Sequence, residues 1–169
     1  MTTIAIIIGC AIVAVIGIGV IIGGAPFVPT RKKWTVDAMK LANVGADDVV
    51  VDLGSGDGTI LIAALESNAK RAIGYEINPL LVVWSRLRLR QFKKRTTIKT
   101  GNFFRAKLPT DTTVIYLFQV EKVLRKIPKF IDQQRADLKT KKLRVVCFGA
   151  EIPGKKFLRE LGGMSLYEF

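Results

Sequence analysis

The 169-residue chain contains no histidine. Histidine general bases and most zinc sites are therefore excluded, since imidazole is the side chain that titrates near neutrality and the commonest zinc ligand. Cysteine is scarce: Cys10 and Cys147 stand far apart, without metal-ligand spacing, so both are expected to be free and buried and no metal is expected. No charged side chain precedes Arg31, and residues 77–110 carry nine basic residues and no acid. Acids are in deficit throughout, 14 against 27 Lys and Arg, and the resulting charge of +13 favours anionic partners.

In place of charge, residues 4–25 form an unbroken apolar run, IAIIIGCAIVAVIGIGVIIGGA. As a helix rising ~1.5 Å per residue, the run crosses a hydrocarbon layer of roughly 30 Å, and it has no polar face, so a transmembrane helix is expected. A signal peptide wants a basic start and a shorter apolar core, whereas only MTT precedes this one. Arg31, Lys32 and Lys33 follow the run, and the positive-inside bias then places the carboxy-terminal domain on the cytoplasmic side of a single-pass protein. A prokaryotic cell membrane is favoured, or the mitochondrial inner membrane in a eukaryote. The expected layout is an anchor at 1–26, a linker with a short amphipathic helix at 27–47, and one cofactor-binding domain at 48–169.

Beyond Pro26 and Pro29, Trp34, Ala38, Leu41 and Ala42 recur at helical spacing. Strands are then expected at 48–52, 71–76, 96–100, 113–118 and 143–148, with helices at 59–67, 79–92 and 121–138. Continuous apolar strands such as VVV and VIYLF suit a sheet covered on both faces, so the fold class is α/β, a doubly wound Rossmann-like sheet. The last 19 residues suggest a short basic helix and one edge strand in MSLYEF.

The stretch DLGSGDG at 52–58 closes the first strand. Glycines in such a turn let backbone N–H groups approach a ligand. In an open α/β sheet the crevice lies beyond the carboxyl ends of the strands, where residues 53–58, 76–78, 101–102 and Gln119 fall. A Walker loop would need Lys after the glycines, but residue 58 is Gly. A dinucleotide loop would want GxGxxG, and Asp52 and Asp57 would repel a pyrophosphate. S-adenosylmethionine carries an ammonium and a sulfonium instead, so the same carboxylates attract it. Glu76, 24 residues after Asp52, is placed for the ribose hydroxyls, and Asn102 for the adenine edge. The cofactor site is accordingly expected at Asp52, Leu53, Gly54, Ser55, Gly56, Asp57, Gly58, Glu76, Ile77, Asn78, Asn102 and Phe103.

DLGSGDG followed by GYEINP resembles a class I methyltransferase. The fuller pattern PFVPT, VDLGSGDGTILIAA and AIGYEINPLLVVWSRLR resembles the membrane-anchored protein-lysine methyltransferases that act on the ATP synthase c subunit and the adenine nucleotide translocase. The resemblance covers residues 26–90 closely and the rest in outline. It implies cofactor contacts at Asp52, Gly54, Gly56, Glu76 and Asn78, and a membrane-protein lysine as substrate. Asn102 departs from the acidic residue common at its position, and the short basic chain looks more like a prokaryotic relative than a mitochondrial precursor.

Methyl transfer from a sulfonium is an in-line displacement that mainly needs alignment of a neutral nucleophile. Asp57 and Gln119 come within reach of the crevice as candidate catalytic residues, and neither is assigned. The Asn/Asp-Pro-Pro-aromatic turn of adenine and glutamine methyltransferases is absent, the position reading LFQVEK. Phe103 with Phe104, or Tyr116 with Phe118, offer aromatic faces to a sulfonium or a lysine ammonium. Arg86, Arg90, Lys93 and Lys94 are expected on one face of a basic helix at 79–95, drawn to anionic lipid headgroups at about 1 kcal/mol per residue. Small-molecule, lipid or RNA methylation, or an anchored binding module without turnover, are the alternatives; nucleic acid is less favoured as a partner.

Overall fold

The computed structural model describes residues 32–169, together with Ile6. The expected transmembrane run at 4–25 therefore lies outside the described residues, apart from Ile6. Among the described residues no helix is long and apolar enough to cross a membrane.

The chain runs through α1 (Lys32–Ala42), β1 (Val49–Leu53), α2 (Thr59–Glu66), β2 (Arg71–Glu76), α3 (Pro79–Arg88), β3 (Thr96–Thr100), β4 (Val114–Leu117), α4 (Glu121–Leu124), α5 (Ile127–Arg135), β5 (Arg144–Phe148), β6 (Arg159–Leu161) and β7 (Met164–Glu168). One seven-stranded sheet results, in the order β3-β2-β1-β4-β5-β7-β6. Strands β1 to β5 pair in parallel, whereas β7 is antiparallel to both β5 and β6. Strands β1 and β4 are buried along their whole length, as a parallel sheet with two covered faces requires. Helices α1, α2 and α3 cover one face through Ala38, Leu61 and Val82; α4 and α5 cover the other through Leu124, Ile127 and Ile131. The strand order reverses between β1 and β4, and a crevice forms at the carboxyl ends of strands at such a switch.

Helix α1 is tied at both ends. Trp34 packs on Phe148 at the end of β5, with ring centroids 4.8 Å apart. At its other end, Arg144 Nη1 donates to the carbonyls of Ala42 (2.6 Å) and Asn43 (3.1 Å), and its Nη2 pairs with Asp48. The last helix carbonyls thus find a charged donor at the start of β5. The amino end of α1 accordingly stands at the rim where the crevice opens.

Three expectations are corrected. The helix expected at 79–92, and the basic helix at 79–95, end at Arg88: buried Leu89 turns inward, Arg90–Phe92 forms a 3₁₀ turn, and Lys93 and Lys94 lie in the bend that leads to β3. Arg86, Arg90, Lys93 and Lys94 therefore do not share one helical face. The helix expected at 121–138 is two helices, because Pro128 lacks an N–H and its ring collides with a preceding carbonyl, so it sits in the first turn of a new helix. The closing segment holds no basic helix but a hairpin. Gly162 and Gly163 (φ 60° and 78°) make its two-residue turn, which sends β7 inward between β5 and the edge strand β6. Cys147 is free and buried as expected, donating to the Ala150 carbonyl at 3.0 Å; burial pushes its thiol up to about 12.

Candidate active site

The glycine loop leaves β1 at Leu53, which is fully buried, and enters α2 at Thr59. Gly54, Gly56 and Gly58 all have positive φ (105°, 52° and 80°), the region in which a side chain is strained. The Gly54 and Ser55 N–H groups both donate to the Tyr75 carbonyl at 2.9 Å, anchoring the loop on β2. A Cβ at Gly54 would collide with the amide of Gln119, whose Nε2 donates to the Leu53 carbonyl at 2.7 Å. Gln119, following β4, thus latches the loop from the other side of the switch point.

Glu76 ends β2 and is 8 % exposed. Its Oε2 accepts from Gly56 N and its Oε1 from Asn78 N, both at 2.8 Å. One carboxylate therefore joins the glycine loop to the turn that starts α3. Each oxygen keeps a further lone pair for a ligand hydroxyl. Asn78 caps α3, its Oδ1 accepting from Leu80 N at 3.0 Å, and Ile77 between them is half-buried. Asn102 is exposed and likewise caps the turn at Phe103–Arg105 through Phe104 N. Phe103 and Phe104 pack on each other and on Phe130 beneath that turn. Of the four aromatic residues considered, Phe118 is the most open; it rests on Phe148.

Asp52 is the distinctive group. The residue is 3 % exposed, and its side chain forms no hydrogen bond or ion pair among the described residues. Burial, and then the carboxylates of Glu76 and Asp57, push it well above the ordinary carboxylate range. Gly74 and Tyr116 flank it across the sheet. The Tyr116 hydroxyl and the Ser55 Oγ are buried without a partner among the described residues, and burial, then Asp52, drives the phenol upward. Unsatisfied buried polar groups of this kind await a ligand or ordered water.

Asp57 does not share that role. It forms an ion pair with Arg88, its Oδ1 and Oδ2 accept from Thr59 Oγ1 at 2.8 and 2.9 Å, and Arg88 also donates to the Asp57 carbonyl at 2.9 Å. The pair fastens the loop to α3, which argues against Asp57 as a general base. Arg88 is a residue that sequence reasoning missed, since nothing in its spacing links it to position 57. Gly74 was also missed, although a glycine inside the strand RAIGYE signals a close approach. A Cβ there would lie 2.5 Å from Ser55 Oγ and 2.8 Å from Leu61 Cδ1. Gly74→Ala is therefore expected to lower stability by about 1–3 kcal/mol, read as a lower urea midpoint, and to loosen the loop.

A hollow of about 580 Å³ opens beyond β4 and β5, lined by Glu121 and residues 150–156. None of its lining residues belongs to the glycine loop. Among the described residues no cluster of potential metal ligands occurs.

The sheet order, the glycine loop after β1 and the carboxylate ending β2 define a Rossmann-like methyltransferase fold. In three dimensions the chain is similar to an RNA methyltransferase from Salinibacter ruber solved with S-adenosyl-L-homocysteine, with a TM-score of 0.73 and 31% identity over 84% of this chain and 92% of that one. Residues 52–157 match the family described as the ANTKMT methyltransferase domain, and the chain belongs to that family. It is 38% identical over 104 residues to a protein-lysine N-methyltransferase of Saccharolobus islandicus, covering 58% of this chain and 62% of that protein. Over 62 residues it is 40% identical to the adenine nucleotide translocase lysine N-methyltransferase of Mus musculus, covering 37% and 27%. The chain thus spans less than two thirds of either lysine methyltransferase. The family resemblance read from DLGSGDG and GYEINP is borne out.

Proposed function

We propose that this protein is an S-adenosylmethionine-dependent protein-lysine N-methyltransferase, held at a membrane by residues 4–25 with its domain on the cytoplasmic side, and acting on a lysine of a membrane protein. The observation that carries the reading is the unpartnered Asp52 carboxylate beside Glu76 at the switch point. Two buried acids there repel phosphates and attract a cationic amino acid moiety. The names of the two lysine methyltransferase relatives support the substrate class.

The residues present fit the cofactor. Asp52 would meet its ammonium through the loop, Glu76 its ribose, and Gly54 and Gly56 would admit it against the backbone. The cofactor supplies an electrophilic methyl group on a sulfonium. The protein's own task is to hold the loop rigid, through Gln119 on Leu53 and Arg88 on Asp57, so that donor and acceptor are aligned. Neither candidate base serves: Asp57 is held in its ion pair, and Gln119 carries an amide that does not titrate. The lysine proton would then pass to water, and a partly desolvated mouth lowers the ammonium's affinity for it.

Incubating membranes with the purified protein and methyl-labelled S-adenosylmethionine tests the reading, with label expected on a protein lysine. Label confined to lipid or a small molecule would reassign the substrate. Cofactor binding without any transfer would leave a binding module. RNA methylation is the second reading, favoured by the Salinibacter ruber likeness and the acid-free basic stretch at 77–110; salt-sensitive RNA binding with RNA labelling would establish it.

A further inference from the structure

We propose that the outer face of α3 beds into the headgroup–acyl boundary of an anionic bilayer, a contact that rests on the membrane reading above and adds a second point of attachment. Leu80, Val83, Trp84 and Leu87 fall at i, i+3, i+4 and i+7, on one side of the helix, and each is 55–58 % exposed. The opposite side is already satisfied: Val82, Ser85 and the following Leu89 are buried. An amphipathic helix with a tryptophan in its apolar stripe matches the composition of helices that lie in a membrane interface.

The charges around the stripe select the occupant. Arg86 and Arg88 are drawn toward the body of the domain, Arg86 by the Ile98 carbonyl at 2.8 Å and Arg88 by Asp57. Beyond the helix end, Arg90, Lys93 and Lys94 are exposed and form no ion pair among the described residues. A second copy docking by the same face would set one acid-free basic stretch against another, which is repulsive. Anionic headgroups instead complement the cations while the acyl boundary receives the apolar stripe. Helix α1, which follows the apolar run at 4–25 in sequence, covers the same face of the sheet as α3. With α3 lying on the bilayer, Glu76 and Asn78 at its amino end place the crevice beside the headgroups, where a lysine at a membrane-protein surface is within reach.

Trp34 and Trp84 are the two tryptophans of the chain, so Trp34→Phe isolates the emission of Trp84. This variant of the 169-residue chain, reconstituted in phosphatidylglycerol vesicles containing brominated acyl chains, is expected to show blue-shifted Trp84 emission. Its quenching should be at least about threefold stronger than in matched phosphatidylcholine vesicles, as the electrostatic contribution requires. Val83→Glu combined with Leu87→Glu should remove that quenching. Should Trp34→Phe disturb the packing on Phe148, the unsubstituted spectrum minus that of Trp84→Phe yields the same signal. Protein that floats with the vesicles while Trp84 stays open to aqueous acrylamide overturns the α3 contact and leaves the anchor standing. Failure to float overturns both. Equal shielding of Trp84 without lipid would mean that a second copy or residues 4–25 cover the face, and would also overturn the proposal.

Discussion

Glu76→Ala is expected to lose cofactor binding by at least about 100-fold, with no detectable heat on titrating S-adenosylmethionine into the 169-residue chain. Two losses combine. The ribose hydroxyls lose a bidentate acceptor, and charge-assisted hydrogen bonds contribute about 1.5–3 kcal/mol each. The Gly56 and Asn78 N–H groups, now held at 2.8 Å by the two carboxylate oxygens, lose the acceptor that fixes the glycine loop relative to α3. Glu76→Gln separates the effects. Its single carbonyl can accept from one of the two N–H groups while its amide nitrogen faces the other as a second donor, so binding is expected to be weakened as well. Asp111→Ala, which breaks the ion pair with Arg71 at the far end of β2, is the control and should leave affinity unchanged. Normal affinity in Glu76→Ala would refute the site.

The importance of Glu76 was legible in the sequence because two local signals coincide: an apolar strand ending in glycines, and an acid closing the next strand. Both belong to segments whose geometry is dictated locally, by glycine's access to positive φ and by strand period. The interactions that make the site rigid were not legible. Gln119 reaches Leu53 across 66 residues, and Arg88 reaches Asp57 across 31. No periodicity reports such pairs, since they follow from how α3 and β4 are placed around β1. Sequence pattern instead suggested that basic residues at 86, 90, 93 and 94 share a face. That reading assumed a helix continuing past Leu89, where a buried leucine and the return to β3 end it. The hairpin of β6 and β7 has its signal in Gly162-Gly163, but the basic composition of the segment before it suggests a short helix rather than the edge strand that it forms.

Asp52→Asn is expected to move stability and binding in opposite directions. In the cofactor-free protein the Asp52 carboxyl lies well above the usual carboxylate range, because burial, then Glu76 and then Asp57, disfavour its charge. A carboxyl whose folded pKa exceeds its unfolded value, ~3.9, binds its proton more tightly when folded. The stability that this group contributes is therefore complete below the unfolded pKa and is lost as pH rises through the folded one. Asn keeps the shape without the charge, so at neutral pH the variant should unfold at a higher urea concentration than the parent, and the gain should vanish toward acid pH. Binding should change the other way. A cationic cofactor opposite the ionised carboxylate recovers the electrostatic energy that burial withholds, and the Asn variant forgoes it, for an expected loss of about 10- to 100-fold in affinity. In the parent, affinity should rise with pH through the folded pKa of Asp52 and binding should release a proton, seen as a dependence of the titration heat on the buffer's ionisation enthalpy. Asp52→Asn should abolish that dependence. A parent whose affinity does not vary with pH, or a variant that binds as tightly as the parent, would show that Asp52 does not serve as the counter-charge of the methyl donor.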